Sequence, residues 1–195
     1  MKTLLLALTA PLLLAACGLA PVKDTSVNHL LDPTIPERQI TGASPAIAIS
    51  RPALPSYLDR QQLVSRSRSG GGQLEMNSYH LWAEPLDAAI SRVTAINLGR
   101  LMNSLNIQPV ESFVTLDYQT LLEIRVSRFE PDSPGNLVLE CTWKLQPVSG
   151  RVADTRSFLT HVPISPADTA QDLSGRTAAM NEALARLARE IASAL

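Results

Sequence analysis

The segment "YQTLLEIRVSRFEPDSPGNLVLECTWKLQPV", residues 118–148, restricts the fold of this chain more than any other. In its second half Leu137, Leu139, Cys141, Trp143 and Leu145 alternate with Glu140, Thr142 and Lys144, so an extended strand has one apolar and one polar face. A helix would scatter the same residues around its circumference. "YQTLLEIRVSRFEP" at 118–131 reads as the partner strand, and the intervening PDSPG holds the residue types that close a tight turn. Cys141 lies in the apolar row, which makes it a core residue; a reactive thiol needs an accessible, electropositive site.

A hairpin with one apolar face has to be covered, and two helical patterns can do it. Met180, Leu184, Leu187, Ile191 and Leu195 recur at helical spacing, with Glu182, Arg186 and Glu190 set for i to i+4 pairs on the other side. That polar side is not dominated by Lys and Arg and has no bulky aromatic anchor, so the helix reads as packed on a sheet, not lying on a membrane. From Pro85 to about Leu105, Leu86, Ile90, Val93, Leu101 and Leu105 form a second stripe, and Pro85 suits a first helical turn. Ile96, Leu98 and Met102 widen it beyond one sheet contact, so the excess faces another subunit or lines a groove within one.

Shorter strands are predicted at "SVNHLLD" (26–32) and at "PAIAISRP" (45–52), where Ile47 and Ile49 share a face. "QQLVSRS" (61–67) and "QLEMNS" (73–78) flank Gly70-Gly71-Gly72 as a hairpin, and "VADTRSFLTHVPIS" (152–165) follows the Gly150 turn. This order predicts an α+β domain: a mainly antiparallel sheet with two principal helices packed on one face. Residues 27–195 form that single domain.

The amino-terminal end has a different use. Lys2 precedes an uncharged run from Leu4 to Ala16, too short to span a hydrocarbon core that needs about 20 apolar residues, and it reads as a signal peptide covering residues 1–16. Leu14-Ala15-Ala16-Cys17 resembles the lipobox of bacterial lipoproteins. That resemblance implies cleavage before Cys17 and covalent diacylglyceryl and N-acyl groups on Cys17, the lipid-attachment residue. Two or three chains hold far more firmly than one, at about 0.8 kcal/mol per buried methylene. An ordinary secretory signal is the alternative. Gly18 stands where an aspartate typically retains lipoproteins in the inner membrane, which favours the inner leaflet of the outer membrane, facing the periplasm. Residues 17–26 then form a short tether that keeps the body near its membrane.

Composition excludes several classes. Net charge is −1, and loss of residues 1–16 removes Lys2 and brings it to −2, which does not suit a nucleic-acid binder. With Cys17 acylated only Cys141 remains, so no intramolecular disulfide forms. His29, His80 and His161 are isolated in sequence, with no zinc-ligand spacing, and no metal or cofactor is expected. There is no G-x-S-x-G elbow, "SRSRSGGG" at 65–72 lacks the lysine of a phosphate loop, and Asp117 and Glu123 have nothing to mark them as catalytic acids. Catalytic residues are accordingly not assigned, and the chain reads as a non-enzyme. Arg66 and Arg68 are solvated residues of a hairpin tip, or else a contact with lipid headgroups or an acidic partner.

Two segments are more particular than a generic sheet requires. "SRPALPSYLDRQQLVSR" at 50–66 presents Tyr57, Leu58, Asp59 and Arg60 on a proline-stiffened connection, and "YHLWAEPLDAAISRVTAINLGRLM" at 79–102 places Trp82 before a helix. Tyr57 and Trp82 cover the sheet, or with Leu58, Asp59, Arg60, Ile96 and Met102 they form a partner interface of the aromatic and arginine type. The pattern P-x-L-P-x-Y-L-D-R-x-Q-[LIV]-V-x-R from Pro52 to Arg66, with Trp82 to Leu86, Ile90 to Val93 and Asn97-Leu98, resembles the PqiC family, the ABC-type transport auxiliary lipoproteins. The resemblance implies a non-enzymatic outer-membrane component of an MCE-type intermembrane lipid transport system that serves envelope integrity. It also implies a homo-oligomer, a PqiB-like MCE-domain partner or the substrate-binding component of an ABC system, and contact with phospholipid. A lipoprotein chaperone or pilotin-like assembly factor is the competing reading, and a lipid-anchored hydrolase a weaker one.

Overall fold

A computed structural model describes residues 25–67, 72–111, 117–132, 135–150, 154–166 and 173–195. The elements in chain order are β1 (Val27–His29), β2 (Ile47–Ile49), β3 (Gln62–Arg66), β4 (Leu74–Trp82), α1 (Leu86–Met102), β5 (Ile107–Pro109), β6 (Thr120–Pro131), β7 (Asn136–Pro147), β8 (Arg156–Pro163) and α2 (Ser174–Ala192). The signal peptide, Cys17, Arg68, Gly70 and Gly71 lie outside the described residues.

The β6–β7 hairpin forms as its alternation requires. Ile124 faces Trp143, Val126 faces Cys141 and Phe129 faces Leu139, all buried. Between Val126 and Arg128 the register shifts by one residue. This bulge at Ser127 lets Val126 and Phe129 both point inward although they are an odd number of residues apart. In the turn, Asn136 N–H donates to Asp132 Oδ1 at 2.8 Å, and Gly135 adopts a φ of +90°, which a side chain would oppose.

The expected single, mainly antiparallel sheet is replaced by two mixed ones. A three-stranded sheet has the order β1-β4-β3, and a five-stranded sheet the order β5-β2-β6-β7-β8. β3–β4, β6–β7 and β7–β8 are antiparallel, whereas β1–β4, β2–β5 and β2–β6 are parallel. The parallel pairs involve the short strands reached by long connections, where no tight turn enforces reversal. β2 sits between β5 and β6 and buries Ile47, Ala48 and Ile49 alike, as an interior parallel strand does.

The helices pack on each other, α1 also along β5 and α2 along β7 and β8. α1 ends at Met102, because Asn103 turns left-handed with φ 54° and donates its N–H to Gly99 O. Leu105, predicted inside the helical stripe, therefore lies past its end and is exposed, as is Leu195 past α2. Much of the breadth of α1 is used within the subunit: Leu98 is buried, while Ile96 and Met102 are half-buried. Besides β5 and α2 the helix supports the strap at 31–35, whose Leu31 and Ile35 are buried. Asn97 Oδ1 accepts Ile35 N–H at 3.2 Å, Asn181 Oδ1 accepts Asp32 N–H at 3.0 Å, and Arg92 and Arg100 donate to Leu31 O and Ile35 O at 2.6 and 2.7 Å.

Cys141 is buried, and burial pushes its thiol from 9.0 up to about 12. Its folded pKa is raised, so its contribution to stability is complete below about pH 9 and is lost as pH climbs toward 12. Cys141→Ser places a hydroxyl among apolar neighbours and should cost about 1–3 kcal/mol in urea unfolding at pH 7, with partner capture unchanged. Cys141→Ala should show a shallower alkaline loss of stability between pH 9 and 12 than the parent. Equal slopes would mean that the thiol is reached by water.

Candidate functional site

The segment from Pro52 to Arg66 is laid across β6. Ala53 N–H donates to Ile124 O at 3.0 Å and Val126 N–H donates to Ala53 O at 2.9 Å, a parallel bridge that fixes the approach. Leu58 N–H then closes a turn onto Pro55 O at 2.9 Å. The turn delivers Tyr57, whose hydroxyl lies 2.9 Å from Glu130 Oε2 and 3.2 Å from Ser127 O.

Glu130 is the centre of the site and was not singled out by sequence reasoning. It occupies the non-core parity of β6, as Arg128 does, yet it is 0% exposed. An isolated buried carboxylate would be costly, and here its oxygens are filled. Arg66 Nε donates to Oε1 at 2.7 Å, Arg128 Nε to the same oxygen at 3.1 Å, and Phe129 N–H to Oε2 at 2.9 Å. Burial, then the charge of Glu130, pushes the Tyr57 hydroxyl up to about 12, and the hydrogen bond to Glu130 raises Arg66 further. The cluster is a charge-assisted clamp that fastens β3 and the proline-rich connection to β6. Nothing in the alternation of β6 distinguishes Glu130 from the part-exposed Glu123; only the overlying chain does.

The other residues predicted as interface are placed as follows. Leu58 and Trp82 are buried and join the core, so their apolar surface contacts this subunit. Asp59 is exposed, Arg60 Nη1 donates to Met76 Sδ at 2.8 Å, and Ile96 and Met102 are half-buried on α1. Loss of the Tyr57 hydroxyl and its hydrogen bonds to Glu130 and Ser127 O should lower stability by about 1–2 kcal/mol in Tyr57→Phe, which keeps the ring's packing, measured by urea unfolding.

Two of the three sequence-isolated histidines meet. His29 Nε2 and His80 Nδ1 are 2.7 Å apart, with Thr177 Oγ1 3.2 Å from His29 Nδ1, so β1, β4 and α2 converge there. Among the described residues, no group of three or more His, Cys, Asp and Glu could hold a metal ion, and no helix is long and apolar enough to cross a membrane.

These features define a two-sheet α+β domain whose distinguishing sequence motif is a structural clamp. The chain belongs to the family of ABC-type transport auxiliary lipoprotein components, whose model matches residues 29–192. Among solved structures it is similar to a protein of the DUF330 family from Xanthomonas campestris, with 19% identity over 86% of this chain and 90% of that one and a TM-score of 0.62. An uncharacterized protein of known structure matches with a TM-score of 0.65 and 18% identity, over 80% of this chain and 95% of the other. A PelC dodecamer from Paraburkholderia phytofirmans aligns with a TM-score of 0.39 and 17% identity, over 76% of this chain and 95% of the other. No curated protein matches the sequence.

Proposed function

We propose that this auxiliary lipoprotein is a non-enzymatic component of an MCE-type intermembrane lipid transport system, anchored through Cys17 in the inner leaflet of the outer membrane. Family membership over residues 29–192, behind a lipobox at Leu14–Cys17, is the observation that carries the reading. Gly18 supports the outer membrane over the inner one. In this role the domain docks the outer-membrane end of an MCE-domain partner as a homo-oligomer, and phospholipid passes beside it. The two-sheet body suits a docking module, since its distinctive polar residues bind one another and hold its shape.

Purification of the lipidated protein from membranes in mild detergent, followed by native mass determination, tests this. An MCE-domain protein, or a homo-oligomer with phospholipid attached, is the expected result. Recovery of a secretin or barrel protein would instead support the assembly-factor reading.

A further inference from the structure

Arg60 belongs to the Tyr57-Leu58-Asp59-Arg60 stretch of the Pro52–Arg66 motif, yet the clamp on Glu130 does not use it. Other arginines of this chain are matched to carboxylates: Arg66 reaches Glu130 at 2.7 Å, Arg92 reaches Glu84 at 2.6 Å and Arg100 reaches Glu37 at 3.0 Å. Arg60 has no carboxylate partner among the described residues, and Asp59 beside it is exposed. Its Nη1 donates to the thioether of Met76 at 2.8 Å, and its Nε is shut away from water with no acceptor. A thioether is a weak acceptor and a buried N–H left unpaired is costly, so this guanidinium has donors to spare for a stronger acceptor.

The surface beside Arg60 is shaped by a bulge. From Gln62 to Val64 β3 advances two residues, while its partner positions on β4 run five, from Leu81 to Met76. The extra residues of β4 arch off the ladder, and a bulge of this kind re-aims side chains. Tyr79 is 62% exposed and Met76 51%. Both line an open depression of about 310 Å³, together with Ser65, Glu75, Asn77 and Arg176. Tyrosine, methionine and arginine are residue types enriched where proteins meet. The formal charges of Arg60 and Arg176 are balanced by those of Asp59 and Glu75, whereas an anionic bilayer is drawn to clusters of Lys and Arg. The chemistry therefore favours one directed ion pair with a protein carboxylate over a membrane surface.

We propose that Arg60, with Met76 and Tyr79, is the docking point for an acidic side chain of the partner protein: its carboxylate replaces the Met76 thioether on the guanidinium, and an apolar neighbour of that side chain settles against Tyr79. The inference rests on the docking role proposed above and names the chemistry by which the partner is held. Met76 suits the exchange, because an unbranched side chain that is half exposed swings aside without opening the core.

The test uses the full lipidated protein, purified from membranes in mild detergent. With Cys17 acylated and Cys141 buried, Met76→Cys supplies one reactive thiol for a benzophenone photo-crosslinker. The expected adduct is an Asp- or Glu-containing peptide of the MCE-domain partner. Arg60→Ala should retain about one-tenth or less of the partner while unfolding at the parent's urea midpoint. Tyr79→Ala, which alters an exposed side chain, should also weaken capture, and it decides the matter if Arg60→Ala has a lowered midpoint. Parental capture by a folded Arg60→Ala protein overturns the proposal. So do adducts confined to lipid, which make the site a bilayer contact, and adducts to a second copy, which make it a contact between subunits. A partner that copurifies without crosslinking to position 76 overturns the proposal and leaves the docking role standing. A parent protein that brings down no MCE-domain protein overturns both.

Discussion

Cys17→Ala is expected to leave the chain unlipidated, with its signal uncleaved and its domain absent from the outer-membrane fraction. On the proposed lipid anchor the cause is chemical: the Cys17 thiol is the acceptor of the diacylglyceryl group, and alanine offers no nucleophile. Each buried methylene of an acyl chain contributes about 0.8 kcal/mol, so loss of two or three chains removes an attachment that the protein surface cannot replace. Immunoblotting of separated membranes with intact mass measurement reads this directly. A Cys17→Ala protein cleaved at the normal position would show that an ordinary secretory signal is at work. Because Cys17 precedes β1 by ten residues in the sequence, the body of the variant, with residues 1–16 removed, should unfold at the parent's urea midpoint.

Glu130→Gln should be among the most damaging single substitutions in the folded body. The amide keeps the shape of the side chain but removes the charge that Arg66 and Arg128 share, and its NH₂ group meets donors where an oxygen accepted. Breaking a fully buried ion pair costs about 3–5 kcal/mol; here the two arginine side chains are 36% and 30% exposed and recover part of their hydration, so about 2–3 kcal/mol is expected. Arg66→Ala and Arg128→Ala should each cost about half as much, because the remaining guanidinium still neutralises the carboxylate. The two losses should be non-additive, since both act on one oxygen. Equilibrium urea unfolding of these three variants and of the Arg66→Ala/Arg128→Ala double variant measures all of this. A Glu130→Gln protein as stable as the parent would mean that the clamp adds nothing to fold stability and that the Pro52–Arg66 segment is held by apolar packing alone.

The clamp also gives the Pro52–Arg66 motif a physical meaning. Tyr57 and Arg66, nine residues apart, both reach Glu130, and the prolines before Tyr57 aim the chain so that Ala53 can bridge β6 on the way. Part of what looked like an interface signature in the sequence is thus accounted for inside the subunit. Leu58 and Trp82 follow the same logic, since both are buried beside it. Exposed Asp59 and the half-buried Arg60, Ile96 and Met102 are what remains of that set for a partner to touch.

Local pattern by itself determined the elements whose signal is carried by nearest neighbours along the chain. The period-2 row from Leu137 to Leu145 made β7 unavoidable, and the 3.6-residue stripe from Met180 to Ile191 made α2 so. The resemblance to a lipobox, read before any fold is considered, depends only on consecutive residues. Tertiary structure decided what depends on residues distant in sequence. Whether β1 and β2 run parallel or antiparallel to their neighbours is set by long connections that carry no turn signal, so the mainly antiparallel sheet expected became two mixed ones. The excess apolar width of α1 divides between the two expectations: Leu98 is buried within the subunit, where α2 and the 31–35 strap held by Asn97, Asn181 and two arginines pack, while Ile96 and Met102 stay half-buried. Glu130 is the sharpest case: in the strand pattern it is one more polar residue on the solvent side. It becomes the buried centre of the site because a chain segment more than sixty residues earlier crosses above it, and periodicity contains no record of such a crossing.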